Sequence, residues 1–280
     1  MSLALEALRL LPRNLLSRAA GRFAALRLPS ALVRAEIELF ARAVGADLAE
    51  VREPLASFAS LQEFFTRTLR DGARSIDPAD DALVAPCDGA WGESGAIEAG
   101  RLLQVKGRPY ALADLLASRD DAAAFEGGAF ATFYLAPRDY HRFHAPCDVR
   151  VEYARYVPGS LWPVNRIGLE GVAGLFAQNE RIAAWMRARR GNALLCMVAV
   201  GATLVGRIRL RFDALETNQR GARSADRAYP GGIPLAKGQE WGHFEFGSTL
   251  VLAAPRGALR LDSRPPGSRL RLGERIGTLR

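Results

Sequence analysis

Histidine is scarce in this chain, and two of its three histidines stand three positions apart. They are His141 and His144 in the segment PRDYHRFHAP. Imidazole titrates near neutral pH, so a histidine pair favours acid–base chemistry. An H-x-x-H pair could also bind a metal, but zinc sites need a third protein ligand and no suitably spaced cluster accompanies this pair. The plain alternative is two surface histidines in a turn.

Two other short motifs could complete such a site. Asp88-Gly89 alone predicts a turn, although a carboxylate there could also fix the tautomer of a histidine and stabilise its charged form. Gly247-Ser248 precedes the apolar run TLVL and alone predicts the start of a strand. The chemical alternative is that Ser248 attacks the carbonyl of Gly247, since glycine allows the strained backbone that this attack requires.

The elements that position these residues are predicted to be mostly strands. Beyond residue 78, short apolar runs alternate with Asp-Gly, Pro-Gly, Gly-Gly and Gly-Ser turns, which is typical of an antiparallel sandwich or barrel. A helix inserted at residues 179–190 is expected within this β-rich body. A capping box, SLQE at 60–63, predicts another short helix that runs to about Arg70. The apolar runs are residues 83–86, 129–135, 149–156, 194–200, 203–212 and 248–254.

The N-terminal 53 residues are predicted to form amphipathic helices interrupted at Pro29. Residues 1–34 contain six arginines and one glutamate, a balance of +5 out of +8 for the whole chain. One interpretation is an interfacial membrane anchor whose arginines reach anionic head groups. The other is a helical pair packed on its own domain. The apolar stripes at helical spacing are Leu15, Ala19, Phe23 and Leu26, then Val33, Ile37, Phe40, Val44 and Leu48.

Composition limits the class of protein. With 49% apolar and 24% charged residues, the chain can bury a core and is not globally disordered. Its excess of basic residues, 38 against 30, suits anionic partners such as nucleic acid, phospholipid head groups or small phosphates. Cys87, Cys147 and Cys196 cannot all pair, so neither a disulfide framework nor a structural zinc site is indicated. No transmembrane helix and no signal peptide are predicted.

Together these motifs resemble the phosphatidylserine decarboxylase family, of the short bacterial type. The likeness covers nearly the whole chain, and the motifs occur in the family's order. In the family the last motif commonly begins with leucine, which Phe246 replaces here. The matching segments are FFTRTLR at 64–70, APCDG at 85–89, YLAPRDYHRFH at 134–144, VPGSLWPVN at 157–165, NER at 179–181 and FGST at 246–249.

The resemblance implies a self-processing proenzyme. Asp88, His144 and Ser248 would form a charge-relay set in which His144 takes the Ser248 proton and Asp88 steadies the imidazolium. Attack on the Gly247 carbonyl, followed by β-elimination, would divide the chain into a β chain, 1–247, and an α chain, 248–280. The α chain would begin with a pyruvoyl group, the expected cofactor, made from Ser248.

The resemblance also implies the reaction of the processed enzyme. Phosphatidylserine would be converted to phosphatidylethanolamine and CO₂ through a Schiff base with the pyruvoyl group, whose ketone delocalises the electrons left at Cα. His141 is the implied proton donor to Cα. No metal is expected.

The expected organisation is α+β, with a helical membrane-associating segment at 1–53 and a β-rich catalytic domain at 54–280. The expected partners are phosphatidylserine in an anionic membrane and the two fragments of the chain itself, with no nucleic acid. A homo-oligomer is also compatible with the sequence. The expected location is the cytoplasmic side of the cell membrane, peripherally bound. The alternatives are a metal-dependent hydrolase using His141, His144 and Asp88, and a non-catalytic lipid- or nucleic-acid-binding protein.

Overall fold

Within the described part of the chain, the strands form one large antiparallel sheet and three smaller ones. A computed structural model describes residues 12–104, 108–203, 207–245 and 248–280. The strands are β1 (Ala82–Val84), β2 (Gly89–Ala96), β3 (Arg101–Gln104), β4 (Arg108–Ala111), β5 (Ala129–Leu135), β6 (Arg142–His144), β7 (Val149–Val157), β8 (Arg181–Ala188), β9 (Leu194–Val200), β10 (Ile208–Leu210), β11 (Ala225–Leu235), β12 (Glu240–Phe244), β13 (Ser248–Ala254), β14 (Leu259–Leu261), β15 (Arg269–Leu270) and β16 (Arg275–Leu279).

The large sheet has eight strands in the order β11-β7-β8-β9-β13-β5-β2-β15, and β13 lies inside it between β5 and β9. Every residue of β13 is buried. Leu250 and Leu252 contribute to the core on one face of the sheet, whereas Val251 and Ala253 contribute to the core on the other. A strand covered on both faces needs an unbroken apolar sequence, which explains the run TLVLAA.

The smaller elements cover these two faces. The sheets β10-β12-β6 and β1-β16-β14 pack on one face of the large sheet. The hairpin β3-β4 and the short helices between residues 112 and 178 lie on its other face. The α+β class is therefore confirmed, as are the predicted strands at 129–135, 194–200 and 248–254. The helices are α1 (Arg13–Ala24), α2 (Ser30–Val44), α3 (Leu61–Phe65), α4 (Leu112–Leu116), α5 (Arg119–Ala123), α6 (Arg166–Gly171) and α7 (Leu175–Gln178).

The helix predicted at 179–190 is wrong. Residues 181–188 are the strand β8, which pairs with β7 and β9 inside the large sheet. The run IAAWM has no period-2 alternation because Ile182 and Met186 pack on one face while Ala183 and Trp185 pack on the other. A short apolar run buried on both faces cannot be distinguished from a helix by periodicity alone. The inserted helices α6 and α7 lie just before this strand.

The helix that begins at the capping box is shorter than predicted. Ser60 accepts a hydrogen bond from the Glu63 amide at 3.2 Å, as expected, but α3 ends at Phe65 and not at Arg70. Beyond it the chain is extended and bonds residues 50–52: the Arg52 amide donates to Thr68, and the Arg70 amide donates to Glu50. Tertiary pairing thus ends the helix early.

Two N-terminal helices form on either side of Pro29, as predicted, but they end at Ala24 and Val44, before Leu26 and Leu48 of the predicted stripes. Residues 1–11 of the predicted helical region lie outside the described residues. The stripe of α2 is buried through Val33 and Ile37, which pack against Phe58 and Phe64. The stripe of α1 is exposed: Phe23 keeps 71% of its surface accessible. Among the described residues, no helix is both long enough and apolar enough to cross a membrane. The domain boundary at residue 53 stays a prediction.

Candidate active site

Strand pairing places both histidines beside β12. His144 lies at the end of β6, opposite Glu240 of β12. His141 precedes β6, and its carbonyl accepts a hydrogen bond from the Phe244 amide at 2.9 Å. The two histidines that the sequence singled out are therefore fixed along one strand, whose last residue, Phe244, stands four positions before Ser248 in the sequence.

Ser248 is the first residue of β13, where it pairs with Leu135 at the end of β5. The chain passes from Leu135 through a short loop to His141, so the pairing of Ser248 with Leu135 places the serine at the end of β5 from which this loop leads to the histidines. The Ser248 side chain is fully buried, and its hydroxyl has no hydrogen-bond partner within the described part of the chain. Phe246 and Gly247, and with them the expected cleavage bond, lie outside the described residues.

The imidazole of His141 is completely buried and its tautomer is fixed by the backbone. Nδ1 lies 2.8 Å from the carbonyl oxygen of Asp139, and because a carbonyl only accepts, Nδ1 carries the proton. Nε2 therefore holds the free lone pair, and no described residue bonds it. Burial lowers the pKa of His141 to about 3, which keeps the ring neutral at physiological pH. The ring packs against Phe65 with centroids 4.2 Å apart.

His144 is arranged in the same way. Its Nδ1 lies 2.9 Å from the carbonyl oxygen of Gly238, which places the proton on Nδ1 and the lone pair on Nε2. That Nε2 is also buried and lacks a partner among the described residues. Burial lowers the pKa of His144, so this ring too is a neutral base at physiological pH. A buried polar atom without a partner requires an explanation, and a catalytic role is one that fits a neutral imidazole.

Asp88 makes contacts that the sequence did not predict. Its carboxylate accepts hydrogen bonds from Arg74 Nε at 2.8 Å and from the backbone amide of Leu272 at 2.8 Å. Arg74 also donates to Glu50 at 2.7 Å. In this structure a backbone carbonyl, and not Asp88, fixes the tautomer of His144, while the charge of Asp88 favours the protonated form of that ring. The direct relay from Asp88 to His144 stays a prediction.

Sequence reasoning missed Arg67, which lies beside His141. Its side chain is buried, and Nη2 donates to the carbonyls of Arg138 and Asp139 at 3.2 and 3.3 Å. Its positive charge adds to the burial that lowers the pKa of His141. The only sequence signal was its position in the FFTRTLR motif.

The other residues near the cleavage point have structural contacts. Trp241 is buried against Phe143, with ring centroids 4.3 Å apart. Glu245 accepts a hydrogen bond from Arg209 Nε at 2.8 Å. Among the described residues, no three His, Cys, Asp or Glu side chains are grouped so that they could hold a metal ion.

Comparisons with known proteins give one consistent result. The family model described as phosphatidylserine decarboxylase matches residues 61–278. A phosphatidylserine decarboxylase proenzyme of Anaeromyxobacter sp. (strain K) is 47% identical over 276 residues, which cover 98% of this chain and 97% of that protein. Proteins of the same name from Azoarcus sp. (strain BH72) and Myxococcus xanthus (strain DK1622) are 41% and 35% identical, covering 96% and 98% of this chain and 93% and 98% of theirs.

Proposed function

This chain belongs to the phosphatidylserine decarboxylase family, and from that membership we propose that it converts phosphatidylserine to phosphatidylethanolamine and CO₂ with a pyruvoyl group made from Ser248. One observation carries the proposal. A buried serine hydroxyl lies at the start of β13, two buried, neutral imidazoles lie at the two ends of β6, and none of the three reactive atoms has a partner among the described residues.

Self-cleavage uses His144 and Ser248. His144 Nε2 takes the proton of the Ser248 hydroxyl, and Oγ attacks the carbonyl carbon of Gly247. The carbon–nitrogen bond then breaks, the nitrogen of residue 248 receives the proton, and an ester replaces the amide. Removal of the Cα proton of residue 248 expels the carboxylate of Gly247. The dehydroalanine left behind takes up water and loses ammonia, which yields the pyruvoyl end of the α chain.

Asp88 acts in this proposal by its charge. Protonation of His144 creates a cation in a buried site, and a nearby carboxylate stabilises it. Arg74 and the Leu272 amide hold that carboxylate in place. Leu272 belongs to the α chain, so Asp88 also links the two fragments.

The fold supports the association of the two proposed fragments after cleavage. β13 begins at residue 248 and hydrogen-bonds to β5 and β9, both of which belong to the β chain. β16 adds further hydrogen bonds to β1. The pyruvoyl group would therefore remain where Ser248 now lies, in the same buried site.

His141 serves the decarboxylation itself. The pyruvoyl ketone supplies the electron sink that accepts the pair left at Cα when CO₂ departs. The amine of phosphatidylserine must lose a proton before it can react with a ketone, and His141 Nε2 is a free base that can take it. The negative charge of the substrate raises the pKa of His141 from its low value. His141 can then return the proton to Cα and become neutral again. The released amine takes one proton from solvent, so each turnover consumes one proton.

We also propose peripheral attachment to the cytoplasmic face of the membrane through α1. Its apolar stripe faces solvent, unlike that of α2, with Leu15 and Leu26 about half exposed at 56% and 49%. An apolar face flanked by arginines gives the two signals that lasting interfacial binding needs. Of the two interpretations of these helices, packing on the chain's own domain accounts for α2 and for the inner face of α1, where Ser17 and Ala24 are buried, but not for the exposed apolar stripe of α1.

The decisive experiment combines intact mass with CO₂ release. The purified protein should give two fragments, 1–247 and 248–280, and the smaller one should resist Edman degradation until its ketone is modified. His144→Ala should remain uncleaved, as should the control Ser248→Ala. His141→Ala should be cleaved but release CO₂ slowly.

Three results would contradict the proposal. An active chain that is not cleaved would show that the activity does not use a pyruvoyl group. If His141→Ala blocked cleavage and His144→Ala did not, the separate roles proposed for the two histidines would be refuted. Loss of activity with a chelator would favour the metal-dependent hydrolase. A protein that binds phosphatidylserine vesicles without cleaving itself or releasing CO₂ would favour the non-catalytic lipid-binding alternative.

A further inference from the structure

A cationic cavity lies between α1 and the segments that surround β10. Its volume is about 380 Å³, and its wall includes helix α1, the segment 207–220 and the residue that follows β12. Its charged lining residues are Arg18, Arg22, Arg207, Arg209, Arg220 and Glu245.

The charges of this cavity are not balanced by the protein. Arg209 pairs with Glu245 at 2.8 Å and with Glu216 at 3.2 Å, and Arg207 lies 3.5 Å from Glu216. Arg22 and Arg220 make no ion pair with any described residue, whereas Arg18 lies close enough to the buried Glu180 for its charge to oppose the rise that burial causes in the pKa of that carboxyl. Five guanidinium groups thus meet three carboxylates, those of Glu180, Glu216 and Glu245, and an anionic ligand would offset the excess.

Helix α1 is held in place over this cavity. Arg13 at its start donates from Nη2 to Ser160 Oγ at 3.0 Å and lies over the Trp162 ring, 3.5 Å from its centre. Asn14 donates to the carbonyl of Gly159 at 3.0 Å. These contacts fix the rotation of the helix, so its arginines border the cavity while its apolar stripe faces outward.

The cavity also lies close to the candidate active site. Its lining includes Gln62 of α3, the helix whose Phe65 packs on His141. It also includes Glu245, three residues before Ser248, and since consecutive Cα atoms are 3.8 Å apart, their Cα atoms are at most about 11 Å from each other. A ligand in this cavity is therefore near both the helix that meets the membrane and the residue that reacts.

We propose that this cavity binds the phosphodiester of the phospholipid substrate, with Arg18 and Arg22 of α1 as direct ligands. The inference rests on the proposed function and adds the residues that recognise the head group. Arginine donors match phosphate oxygens in geometry and charge. In phosphatidylserine only a few bonds separate the phosphorus from the reacting amine. α1 then has two roles, since it lies on the bilayer with one face and holds the head group with the other.

The test compares matched single-charge variants of the full chain. Arg18→Gln and Arg22→Gln change the cavity, whereas Arg42→Gln removes one exposed charge from the neighbouring helix α2. Self-cleavage, followed on a gel, reports that each variant folds. CO₂ release is measured in neutral-detergent micelles with a varied fraction of dioleoylphosphatidylserine. The cavity variants should raise KM and lower kcat/KM about 10- to 100-fold, with kcat changed little, because each loses a hydrogen bond to a charged group. Arg42→Gln should match the parent.

A second measurement does not depend on turnover. Calorimetric titration of the uncleaved Ser248→Ala chain with glycerophosphoserine should show binding that Arg18→Gln weakens, whereas titration with free serine should be insensitive to Arg18. If inorganic phosphate binds more tightly than glycerophosphoserine, the cavity is a phosphate site and the proposal is wrong.

The remaining outcomes are also decisive. An unchanged KM in both cavity variants, or an equal rise in Arg42→Gln, would overturn the proposal. The proposal would also be overturned if the cavity variants lost only their binding to phosphatidylcholine–phosphatidylglycerol vesicles, because the arginines would then contact the membrane and not the head group of the substrate. If the parent protein released no CO₂ but its titration still depended on Arg18, the proposed function would fail while the phosphodiester site would stand.

Discussion

The contact between Arg74 and Asp88 makes a quantitative prediction about how the site is held. Both side chains are only 8% exposed, and Arg74 also binds Glu50. Replacing Arg74 with methionine keeps much of the side-chain volume but leaves the Asp88 carboxylate buried with the Leu272 amide as its remaining hydrogen-bond donor. Removing one partner of a buried ion pair costs about 3–5 kcal/mol. We expect Arg74→Met to lower the free energy of unfolding by that amount.

The measurement is urea unfolding followed by circular dichroism, with all variants carrying Ser248→Ala so that one unbroken chain unfolds. The matched control is the double variant Arg74→Met/Asp88→Asn, which removes both charges and should recover at least half of the loss. In the Ser248 background, Arg74→Met should also slow self-cleavage, because the carboxylate that stabilises the His144 cation is no longer held. An Arg74→Met chain within 1 kcal/mol of its parent, or a double variant no more stable than the single one, would refute this reasoning.

Three further predictions concern pH, the membrane and the fragments. Burial lowers the pKa of His141 to about 3 in the folded protein, so between pH 6.5 and 3 the unfolded chain binds a proton that the folded chain does not. The free energy of unfolding should therefore fall by about 1.4 kcal/mol for each pH unit of acidification. In urea titrations, His141→Phe should lose less stability per pH unit than the parent, and an equal loss would contradict the assignment. The double variant Phe23→Ser/Leu26→Ser should sediment less with anionic vesicles, and so should a chain that lacks residues 1–30. The control Leu103→Ser, which changes an exposed leucine of β3, should sediment like the parent. Unchanged sedimentation of the double variant and of the deletion would exclude α1 as the anchor. The 248–280 fragment should copurify with the 1–247 fragment on gel filtration and separate only in denaturant, because β13 is hydrogen-bonded on both sides; separation in plain buffer would show that β13 does not hold them.

Elements held by local interactions could be predicted from the sequence, whereas those fixed by pairing with distant segments could not. The strands at 129–135 and 248–254 and the helices around Pro29 were predictable because turns, proline and apolar spacing act locally. The helix at 179–190 was wrong because Ala183 and Met186 have helical preferences that pairing with β7 and β9 overrides. The helix expected to reach Arg70 ended early for the same reason, because residues 68–70 bond to residues 50–52.

The sequence alone determined the chemistry that is available: two histidines, a serine after glycine, an aspartate, and motifs in the order of one family. Only the tertiary structure decided how these groups are held. The proton positions of His141 and His144 depend on carbonyls of Asp139 and Gly238, and the latter is far away in the chain. Asp88 accepts hydrogen bonds from Arg74 and Leu272, which belong to separate segments of the chain. Burial, which is the largest cause of the lowered pKa of both imidazoles and keeps them neutral, is a property of the packed fold and cannot be read from the sequence around each histidine.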